Sequence, residues 1–402
     1  MKPPQANRFS QPSNLYFDRN FQIICAVSLV AVLGVSSVTP AFPALAQALK
    51  IAPQNIGLLV TVFTLPTLLL GPVIGVFADR LGRKKILIPA LFLFAIAGAA
   101  CAIAPNLSVL LVLRCLQGIG AAPLLSLSLT LIGDFYVGDQ RATAMGYNSS
   151  ISSVGTAIYP TLGGALAVWG WYYPFLLPLV AIPIGLLVIL MLRNREQKSG
   201  RSLKAYLNNA SRVLKNRQLL GLFIGSAANF MLLYGTYITY LPELINQSFN
   251  ASAFAIGLIL SSVSVSITLA SSQLGRLTHK FPAPLLVRAS FIFYAVALLI
   301  IPFVSSLWFL LIPTTLFGIG VGIGMPSIQT LLAELAPQEY LATVMAVNGS
   351  FFGLGQTLGP LITGVAFGVA GINGAFFTGV GLALVMLIVF RFCGCLGSSR
   401  LA

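Results

Sequence analysis

Long apolar stretches alternate with short polar connections along almost the whole chain. Each stretch approaches or exceeds the roughly 20 apolar residues that a helix needs to cross the hydrocarbon core of a bilayer. The pattern predicts twelve membrane-spanning helices. We place them at residues 21–46, 56–78, 86–104, 108–132, 143–168, 172–193, 218–246, 253–275, 284–304, 307–333, 342–369 and 373–392.

One longer polar segment divides the predicted helices into two sets of six. Residues 194–217 contain seven cations, a single acid and no sustained apolar face. We interpret this segment as a basic cytoplasmic linker between an N-terminal six-helix bundle at 21–193 and a C-terminal six-helix bundle at 218–392. Residues 1–20 and 393–402 are predicted to be cytoplasmic tails.

Composition and charge favour a membrane protein and argue against a soluble one. Only 8% of the residues are charged, against about 25% in a typical soluble domain, and the mean hydropathy is +0.93. Of the 23 Lys and Arg residues, 21 fall on one side of the predicted spans. Lys50 falls on the other side, and Arg114 lies inside a span. Positively charged loops face the cytoplasm, so both termini are predicted to be cytoplasmic, with the chain in the cell (inner or plasma) membrane.

The same residues exclude other classes of function. The cations are not interleaved with aromatic and polar residues on one face, as a nucleic-acid surface requires, so no nucleic-acid partner is predicted. The five cysteines have no metal-ligand spacing, and the one histidine, His279, lies in a predicted loop. With so few groups for catalysis inside the spans, we predict no enzyme activity, no metal and no cofactor.

An internal repeat relates the two sets of helices. With a shift of 200 residues, segment 142–164 matches segment 342–364 at 8 of 23 positions without a gap. Pro43 and Pro242 match with a shift of 199. Such a duplication predicts two pseudo-symmetric six-helix bundles around a central cavity.

Three motifs stand out along the chain. They are Gly75-x-x-x-Asp79-Arg80-x-Gly82-Arg83-Lys84-Lys85, Arg114-x-x-Gln117-Gly118-x-Gly120-Ala121 and Gly155-x-x-x-Tyr159-Pro160-x-x-Gly163-Gly164. With these motifs the chain resembles the major facilitator superfamily, and its drug:proton antiporter branch most of all. The resemblance covers essentially the whole chain, although Tyr159 stands where the antiporter motif of the fifth helix has glycine. It implies an all-α membrane protein with 12 transmembrane helices in two pseudo-symmetric six-helix bundles, the major facilitator fold.

The first motif predicts a latch between the two halves on the cytoplasmic side. Gly75 lets two helices approach closely. Asp79 is placed to cap the N-terminus of a helix in the other half, near residues 341–344. Arg83 is placed to pair with Asp134. The predicted latch residues are Gly75, Asp79, Arg80, Gly82, Arg83 and Asp134; the alternative is a generic positively charged loop.

Arg114 and Gln117 form a predicted central polar site. An unpaired cation inside a span should face the bundle interior or water, and Gln117 lies three residues on, on the same helical face. The site could organise substrate or proton movement, or Arg114 could be a structural residue that donates to backbone carbonyls of helix 1 or 5.

Small residues and prolines recur in helices 5 and 11, where they are expected to bend the helices and to allow close packing. The predicted helix-packing residues are Gly155, Pro160, Gly164, Gly355, Gly359, Pro360 and Gly364.

Polar residues within the spans supply candidates for the substrate cavity. Tyr234 and Tyr237 are expected to share one face of helix 7 and to suit an amphipathic solute. The cavity candidates are Asn148, Tyr234, Tyr237, Asn348 and Gln356.

The acidic residues offer one candidate for coupling to protons. All eight lie at span ends or in loops, and Glu243, near the outer end of helix 7, is the best placed. Coupling to protons is implied by the family resemblance, whereas the acids themselves do not establish it.

The sequence therefore predicts a monomeric, multi-pass transporter of a small, amphipathic organic solute that works by alternating access. Proton-coupled efflux is the favoured direction. Uptake or facilitated exchange of a sugar or another small metabolite is the alternative within transport. A membrane receptor or scaffold that binds without moving its ligand is the alternative of another class.

Overall fold

The computed structural model describes residues 15–192, 213–337 and 341–392, and every regular element within these ranges is a helix. Ten helical segments are long and apolar enough to cross a membrane. One of them, Thr343–Phe392, breaks at Ala370 and Gly371 and so counts as two. The 30-residue helix Gly138–Ala167 is more polar and adds another. The described ranges thus hold the twelve crossing helices that the sequence predicts.

In chain order the helices are α1 (Arg19–Ala48), α2 (Leu58–Leu81), α3 (Arg83–Ala100), α4 (Leu107–Phe135), α5 (Gly138–Ala167), α6 (Tyr173–Met191), α7 (Arg217–Phe249), α8 (Ala253–Ser272), α9 (Ala283–Ile300), α10 (Leu307–Leu335), α11 (341–369) and α12 (372–392). A short helix, Leu274–Lys280, follows α8. Several crossings are composite: α4 joins Leu107–Ala121 to Leu124–Phe135, and α6 joins a 3-10 segment, Tyr173–Val180, to Ala181–Met191.

Most of the predicted linker, residues 194–212 of 194–217, lies outside the described residues. At its end the structure differs slightly from the prediction, because Arg217 is already the first residue of α7, with Asn216 as its N-cap. Residues 1–14 of the predicted N-terminal tail (1–20) and the whole C-terminal tail (393–402) also lie outside the described part of the chain, and α1 begins at Arg19.

The two ends of the helix bundle differ in charge. We call one end the basic side, and the other the opposite side, which carries Lys50. The described cations of the basic side are Arg19, Arg83, Lys84, Lys85, Arg141, Lys215, Arg217, Arg276, Lys280, Arg288 and Arg391.

Buried apolar side chains form two separate clusters. One consists of residues between Phe21 and Leu192, joined by Tyr240 and Ala375. The other consists of residues between Val213 and Phe390. Each half therefore has its own core, and we refer to α1–α6 as the first half and to α7–α12 as the second half.

The helix ends show where the repeat gains one residue. Asp18 caps the N-terminus of α1 and Asn216 caps that of α7, a shift of 198, whereas Pro43 and Pro242 are 199 apart. Between these points α7 contains a nine-residue π-helix, Leu232–Tyr240. A π-helix holds an extra residue per turn, so this segment accommodates the insertion. In α1 the corresponding stretch breaks after Ser36 and continues as the 3-10 turn Thr39–Ala41.

Candidate functional site

The junction between α2 and α3 carries the first motif. Gly82 forms the turn with a φ of 100°, in the region that side chains disfavour, so glycine is required there. The Arg83 guanidinium forms an ion pair with Asp134 and also donates to the Thr130 carbonyl at 3.0 Å. Both partners belong to α4. The predicted pair is therefore present, but it joins two helices of the first half and cannot by itself bridge the halves.

For the remaining latch residues, the proposed role in joining the two halves stays a prediction. Gly75, Asp79 and Arg80 lie in helical backbone at the end of α2, and their side chains are outside the described part of the structure. Lys84, next to the pair, donates to the carbonyls of Ile189 and Leu192 at 2.9 and 3.0 Å. It thereby caps the C-terminal end of α6, where a cation is favourable.

Arg114 and Gln117 lie together, as their spacing predicts. The Arg114 side chain is fully buried and donates to Gln117 Oε1 at 2.8 Å and to the Gly34 carbonyl of α1 at 3.0 Å. Its guanidinium carbon lies 5.0 Å from the ring centre of Phe63 and 5.4 Å from that of Phe175, within cation–π range.

These contacts come from α1, α2, α4 and α6, so Arg114 lies in the core of the first half. This is a bundle-interior position, and the bond to the Gly34 carbonyl of α1 is the contact that the structural alternative describes; the functional role of the pair stays a prediction. Arg114 Nε and Nη2 and Gln117 Nε2 are buried and have no hydrogen-bond partner among the described residues. Buried donors of this kind are exceptional and often mark a functional position.

The repeat-related glycines of α5 and α11 pack within their own halves. A Cβ at Gly155 would stand 2.8 Å from Leu29 Cδ2 of α1. A Cβ at Gly355 would clash with the Ala227 carbonyl of α7, and one at Gly359 would stand 2.7 Å from the Met231 carbonyl. Small residues at these positions allow the close approach that the sequence predicts.

The prolines and the following glycines make contacts between the halves. Gly57, before α2, lies against the Pro360 carbonyl of α11, and Gly257 of α8 lies against the Pro160 carbonyl of α5. The two contacts are related by the 200-residue shift. Nearer the opposite side, two more glycines make contacts between the halves. Gly164 of α5 lies against the Ala253 carbonyl, and Gly364 of α11 lies against the Gln54 carbonyl.

Hydroxyl groups reinforce both crossings. Thr61 Oγ1 donates to the Thr357 carbonyl at 3.0 Å, and Thr64 Oγ1 lies 3.1 Å from Thr357 Oγ1. The repeat equivalents of Thr61 and Thr64 are Ser261 and Ser264, which contact α5 through Thr161 Oγ1 at 2.8 Å and the Thr156 carbonyl at 3.1 Å. The halves are thus joined by neutral hydrogen bonds in the part of the bundle nearer the opposite side.

Among the side chains that the structure describes, the contacts between the halves named above lie away from the basic side. On the α2–α11 flank, Leu68 packs against Gly353. Further towards the basic side, a Cβ at Gly71, Gly146, Gly275 or Gly349 would meet nothing within 4 Å. These four glycines therefore have open space beside them in the described part of the structure.

Two of the cavity candidates are a repeat-related pair. Asn148 and Asn348 are 1% and 2% exposed, and the side-chain oxygen of each has no hydrogen-bond partner among the described residues. Each lies on the face of its helix that packs within its own half.

The two tyrosines of α7 have different surroundings, contrary to the shared face that the sequence predicts. Tyr237 is buried in the second half, stacks on Phe317 at 5.0 Å and donates to the Ile259 carbonyl at 3.2 Å. Tyr234 is half-buried and packs against the core of the first half. The reason is the π-helix, because residues three apart no longer lie above one another when each turn is wider.

Tyr234 belongs to a cluster of three aromatic rings. Phe230 is 5.9 Å from Tyr234 and 4.7 Å from Phe352 of α11, measured between ring centres. Gln356 lies one turn beyond Phe352 and is half-buried. Since Gly355 faces α7 and Gly353 faces α2, the intervening face of α11 that carries Phe352 and Gln356 points between the halves.

Glu243 lies in the last segment of α7, on the opposite side. It is 6% exposed and accepts a hydrogen bond from Gln247 Nε2 at 2.8 Å. Among the acidic side chains that the structure describes, those of Glu243 and Asp134 are both buried; Asp134 is paired with Arg83, whereas no ion pair of Glu243 is found within the described residues. A buried carboxylate of this kind is a functional candidate by default.

Sequence reasoning missed two residues that the structure singles out. Tyr240 is fully buried, donates to the Gln54 carbonyl of the first half at 3.0 Å and stacks on Phe367 at 5.4 Å. Tyr136 donates to Asp18 Oδ2 at 2.6 Å and so ties the α4–α5 turn to the start of α1. The one available signal was an aromatic hydroxyl beside a helix end, which is too common to be specific.

Comparison with known proteins assigns the family. The model of the Major Facilitator Superfamily matches residues 24–247 and 222–394. The chain belongs to the major facilitator superfamily. Its fold is similar to that in the crystal structure of the nucleoside transporter NupG, with a TM-score of 0.79. The two sequences are 14% identical, and the match covers 94% of this chain and 99% of NupG. The superfamily consists of membrane transporters, so the predictions of fold and of a non-enzymatic class are confirmed.

Two relatives match this chain along nearly the full length of both proteins. The bacillibactin exporter of Bacillus subtilis is 27% identical over 390 residues, with 92% of this chain and 96% of the exporter covered. A homologue of the multidrug resistance efflux pump PmrA from Lactococcus lactis is 29% identical over 369 residues, with 89% and 90% covered. Both relatives are efflux proteins, as the resemblance to the drug antiporter branch implies.

Proposed function

We propose that this transporter exports a small, amphipathic organic solute across the cell membrane in exchange for protons. The names of its relatives support export. The buried Glu243 carries the proposal of exchange, because a carboxylate held in a span can bind and release a proton as its surroundings change. A single chain contains both halves, so we propose that it works as a monomer.

The proposed orientation follows from charge. Eleven described cations lie on the basic side and Lys50 on the opposite side, so the basic side faces the cytoplasm. In this orientation both termini are cytoplasmic. The contacts between the halves then lie on the outer side, and the described conformation is closed to the outside.

Alternating access follows from the two crossings. Neutral hydroxyl contacts and glycine–proline contacts hold the outer side closed. For export these must separate while the basic side closes, which is the role we propose for Gly75, Asp79 and Arg80. The Arg83–Asp134 pair would keep the α2–α3 junction rigid during that movement.

The proposed substrate contacts lie between the halves. Phe230, Tyr234 and Phe352 offer aromatic surface, and Gln356 offers a hydrogen-bonding amide on the same side of α11. Such a lining, apolar with few polar groups, suits an amphipathic solute. Asn148 and Asn348 remain proposed polar contacts, whereas Arg114 is proposed to act from within the first half.

The test is transport in liposomes with an imposed pH gradient. Purified protein would be reconstituted, and the flux of N-phenyl-1-naphthylamine, an uncharged amphipathic fluorophore, would be followed. We expect the flux to follow the proton gradient in wild type and to become indifferent to it in Glu243→Gln. Glu334→Gln, at an exposed acid of α10, is the matched control and should behave like wild type.

Other outcomes would decide against the proposal. Flux that ignores the gradient in wild type indicates facilitated exchange. Binding of the fluorophore without any flux indicates a receptor. Equal coupling in Glu243→Gln and wild type would exclude Glu243 as the coupling residue.

A further inference from the structure

A small cavity lies within the second half, where α7, α11 and α12 meet. Its lining includes Thr236 of α7, Gly359 and Thr363 of α11, and Thr378 and Gly379 of α12. The cavity volume is about 20 Å³, and one water molecule needs roughly 10–15 Å³ on the same scale. The cavity therefore admits one guest of the size of a water molecule.

The cavity lies beside a close approach of α7 and α11. A Cβ at Gly235 would stand 2.6 Å from the Gly359 carbonyl carbon and 2.8 Å from Thr363 Oγ1. A Cβ at Gly379 of α12 would stand 2.8 Å from Thr236 Oγ1. Both hydroxyl oxygens therefore lie inside the contacts between these three helices.

Two of the three hydroxyl groups at the cavity have no partner within the described ranges. Thr236 and Thr363 are 1% and 4% exposed, and neither hydroxyl makes a hydrogen bond to another residue that the structure describes. The third hydroxyl, of Thr378, donates to the Gly374 carbonyl at 2.8 Å, so it offers only acceptor lone pairs to the cavity. A buried hydroxyl without a partner is costly, so these groups indicate a polar guest.

The π-helix of α7 explains why Thr236 has a hydroxyl to offer. Another threonine of this segment, Thr239, donates to the Tyr234 carbonyl five residues back, at 2.6 Å, which is the spacing of the wider turn. No bond of this kind is found for Thr236 in the described part of the chain. Its side chain lines the cavity instead.

The repeat supplies a comparison for the α11 wall. Thr363 corresponds to Gly163, 200 positions earlier. Gly163 of α5 lies against the Ser37 carbonyl of α1, and a Cβ there would overlap the carbonyl oxygen. The first half thus brings two helix backbones into contact where the second half has a buried hydroxyl beside a cavity. The site is therefore a feature of the second half.

The lining decides between a neutral guest and a cation. The residues that line the cavity carry no charge, and a cation within a span is costly unless an opposite charge pairs with it. Water is neutral and makes two to four hydrogen bonds to buried polar groups. One water molecule can accept from Thr236 and Thr363 and donate to Thr378, so that each hydroxyl has a partner.

We propose that the α7–α11–α12 cavity is a binding site for one water molecule, which joins the π-helix of α7 to α11 and α12 through Thr236, Thr363 and Thr378. The water stabilises the packing of the second half in the segment where α7 accommodates its extra residue. The proposal is independent of the proposed function, since it depends neither on the transported solute nor on coupling to protons.

The first test is a double-mutant cycle on the two hydroxyls. Valine keeps the shape of threonine and removes the hydroxyl. Thr236→Val or Thr363→Val alone leaves the other hydroxyl and the water short of a partner, so we expect each to lower the melting temperature in detergent by about 2–4 °C. Both together should lower it by no more than one alone, because the cavity is then apolar and neither position holds a buried hydroxyl.

Thr239→Val combined with Thr363→Val is the matched control. Thr239 lies in the same π-helix, but its hydroxyl bonds to Tyr234, so we expect the effects of these two substitutions to add. Additive losses in the combination of Thr236→Val with Thr363→Val, or no loss in either single variant, would show that nothing joins the two hydroxyls. Either result would overturn the proposal.

The second test locates the guest in the wild-type protein. In a density map at about 2 Å resolution we expect one peak within about 3.2 Å of the hydroxyl oxygens of Thr236, Thr363 and Thr378. No peak at this position, in a map that shows other buried waters, would overturn the proposal.

Sodium is the alternative guest of similar size. The melting temperature of wild type would be compared in sodium chloride and in choline chloride at equal concentration, and we expect no difference. A higher melting temperature in sodium that is lost in Thr363→Val would show a cation site and overturn the assignment to water.

Discussion

Gly57 lies against the backbone of Pro360, so that a Cβ added at position 57 would stand 2.7 Å from the Pro360 carbonyl oxygen. The internal repeat gives Gly257 the same contact with Pro160. One pair comes from each flank of the molecule, and both pairs bridge the two halves. Closure on the opposite side therefore depends on two positions where no side chain fits.

Substitution of either glycine should prevent this closure. We expect Gly57→Ala and Gly257→Ala each to reduce transport at least tenfold, because a Cβ would meet backbone that cannot move aside without separating the halves. Each half keeps its own core, so the variants should still be purified as folded protein. Flux in proteoliposomes and thermal unfolding in detergent would measure the two effects.

Gly146→Ala and Gly349→Ala are the controls for that experiment. Both are helical glycines with open space where the methyl group would go. Alanine in a helix reduces the conformational freedom of the unfolded chain and adds about 0.4–1 kcal/mol of stability. Normal transport in all four variants would show that the glycine–proline contacts are not needed for closure.

The Arg83–Asp134 pair should be a stability element of the first half. Its side chains are 13% and 7% exposed, so removal of one charge leaves the other buried without its partner. We expect Arg83→Gln to cost about 3–5 kcal/mol of stability, and Asp134→Asn to restore part of that loss in the double variant. Thermal unfolding in detergent would show this, with Lys85→Gln at an exposed neighbour as the control.

Tyr136 should make stability depend on pH in the alkaline range. Burial and the hydrogen bond to Asp18 raise the pKa of its hydroxyl above the ordinary value of about 10. The folded protein thus holds this proton more tightly than the unfolded chain does. The resulting stability is complete below pH 10 and is lost as the pH rises beyond it.

In Tyr136→Phe this alkaline loss should be smaller than in wild type. At neutral pH the variant should lose about 1.5–3 kcal/mol, the usual contribution of a hydrogen bond to a charged group. The melting temperature between pH 7 and pH 11 would be compared in the two proteins. Parallel pH profiles would contradict the role assigned to the Tyr136–Asp18 bond.

Tyr234 and Tyr237 should respond differently to truncation. Tyr237 fills the core of the second half, so Tyr237→Ala should lower stability by about 3–5 kcal/mol, as expected for a buried aromatic residue. Tyr234 lies between the halves, so Tyr234→Ala should leave stability within about 1 kcal/mol and raise the KM for the transported fluorophore several-fold. Equal losses of stability in both variants would show that Tyr234 is also a core residue.

The architecture could be predicted from the sequence because its causes are local. A span needs about 20 apolar residues, and the repeat showed directly that the chain is duplicated. The span of α5 was predicted although Ser149, Ser150 and Ser153 make it more polar than the others, and the repeat relates it to the apolar α11. Pairs a few residues apart, such as Arg114 and Gln117, were equally accessible.

The site was less predictable because it depends on how the helices turn relative to one another. A uniform α-helix places Tyr234 and Tyr237 on one face, and the sequence gives no sign of the π-helix apart from the change of shift between Asp18–Asn216 and Pro43–Pro242. The position of Tyr240 depends on contacts with Gln54 and Phe367, each more than 100 positions away. Such contacts follow from packing and leave no local pattern.

The π-helix of α7 has a consequence for the symmetry of the transporter. Beyond residue 240 the two helices align with a shift of 199 instead of 198, so Glu243 stands where the first half has Ala44. The two copies of the repeat are therefore inequivalent at the end of the bundle opposite the basic side. The acid stands on one arm alone, so whatever that carboxylate binds is bound by one half, with an alanine at the matching position of the other.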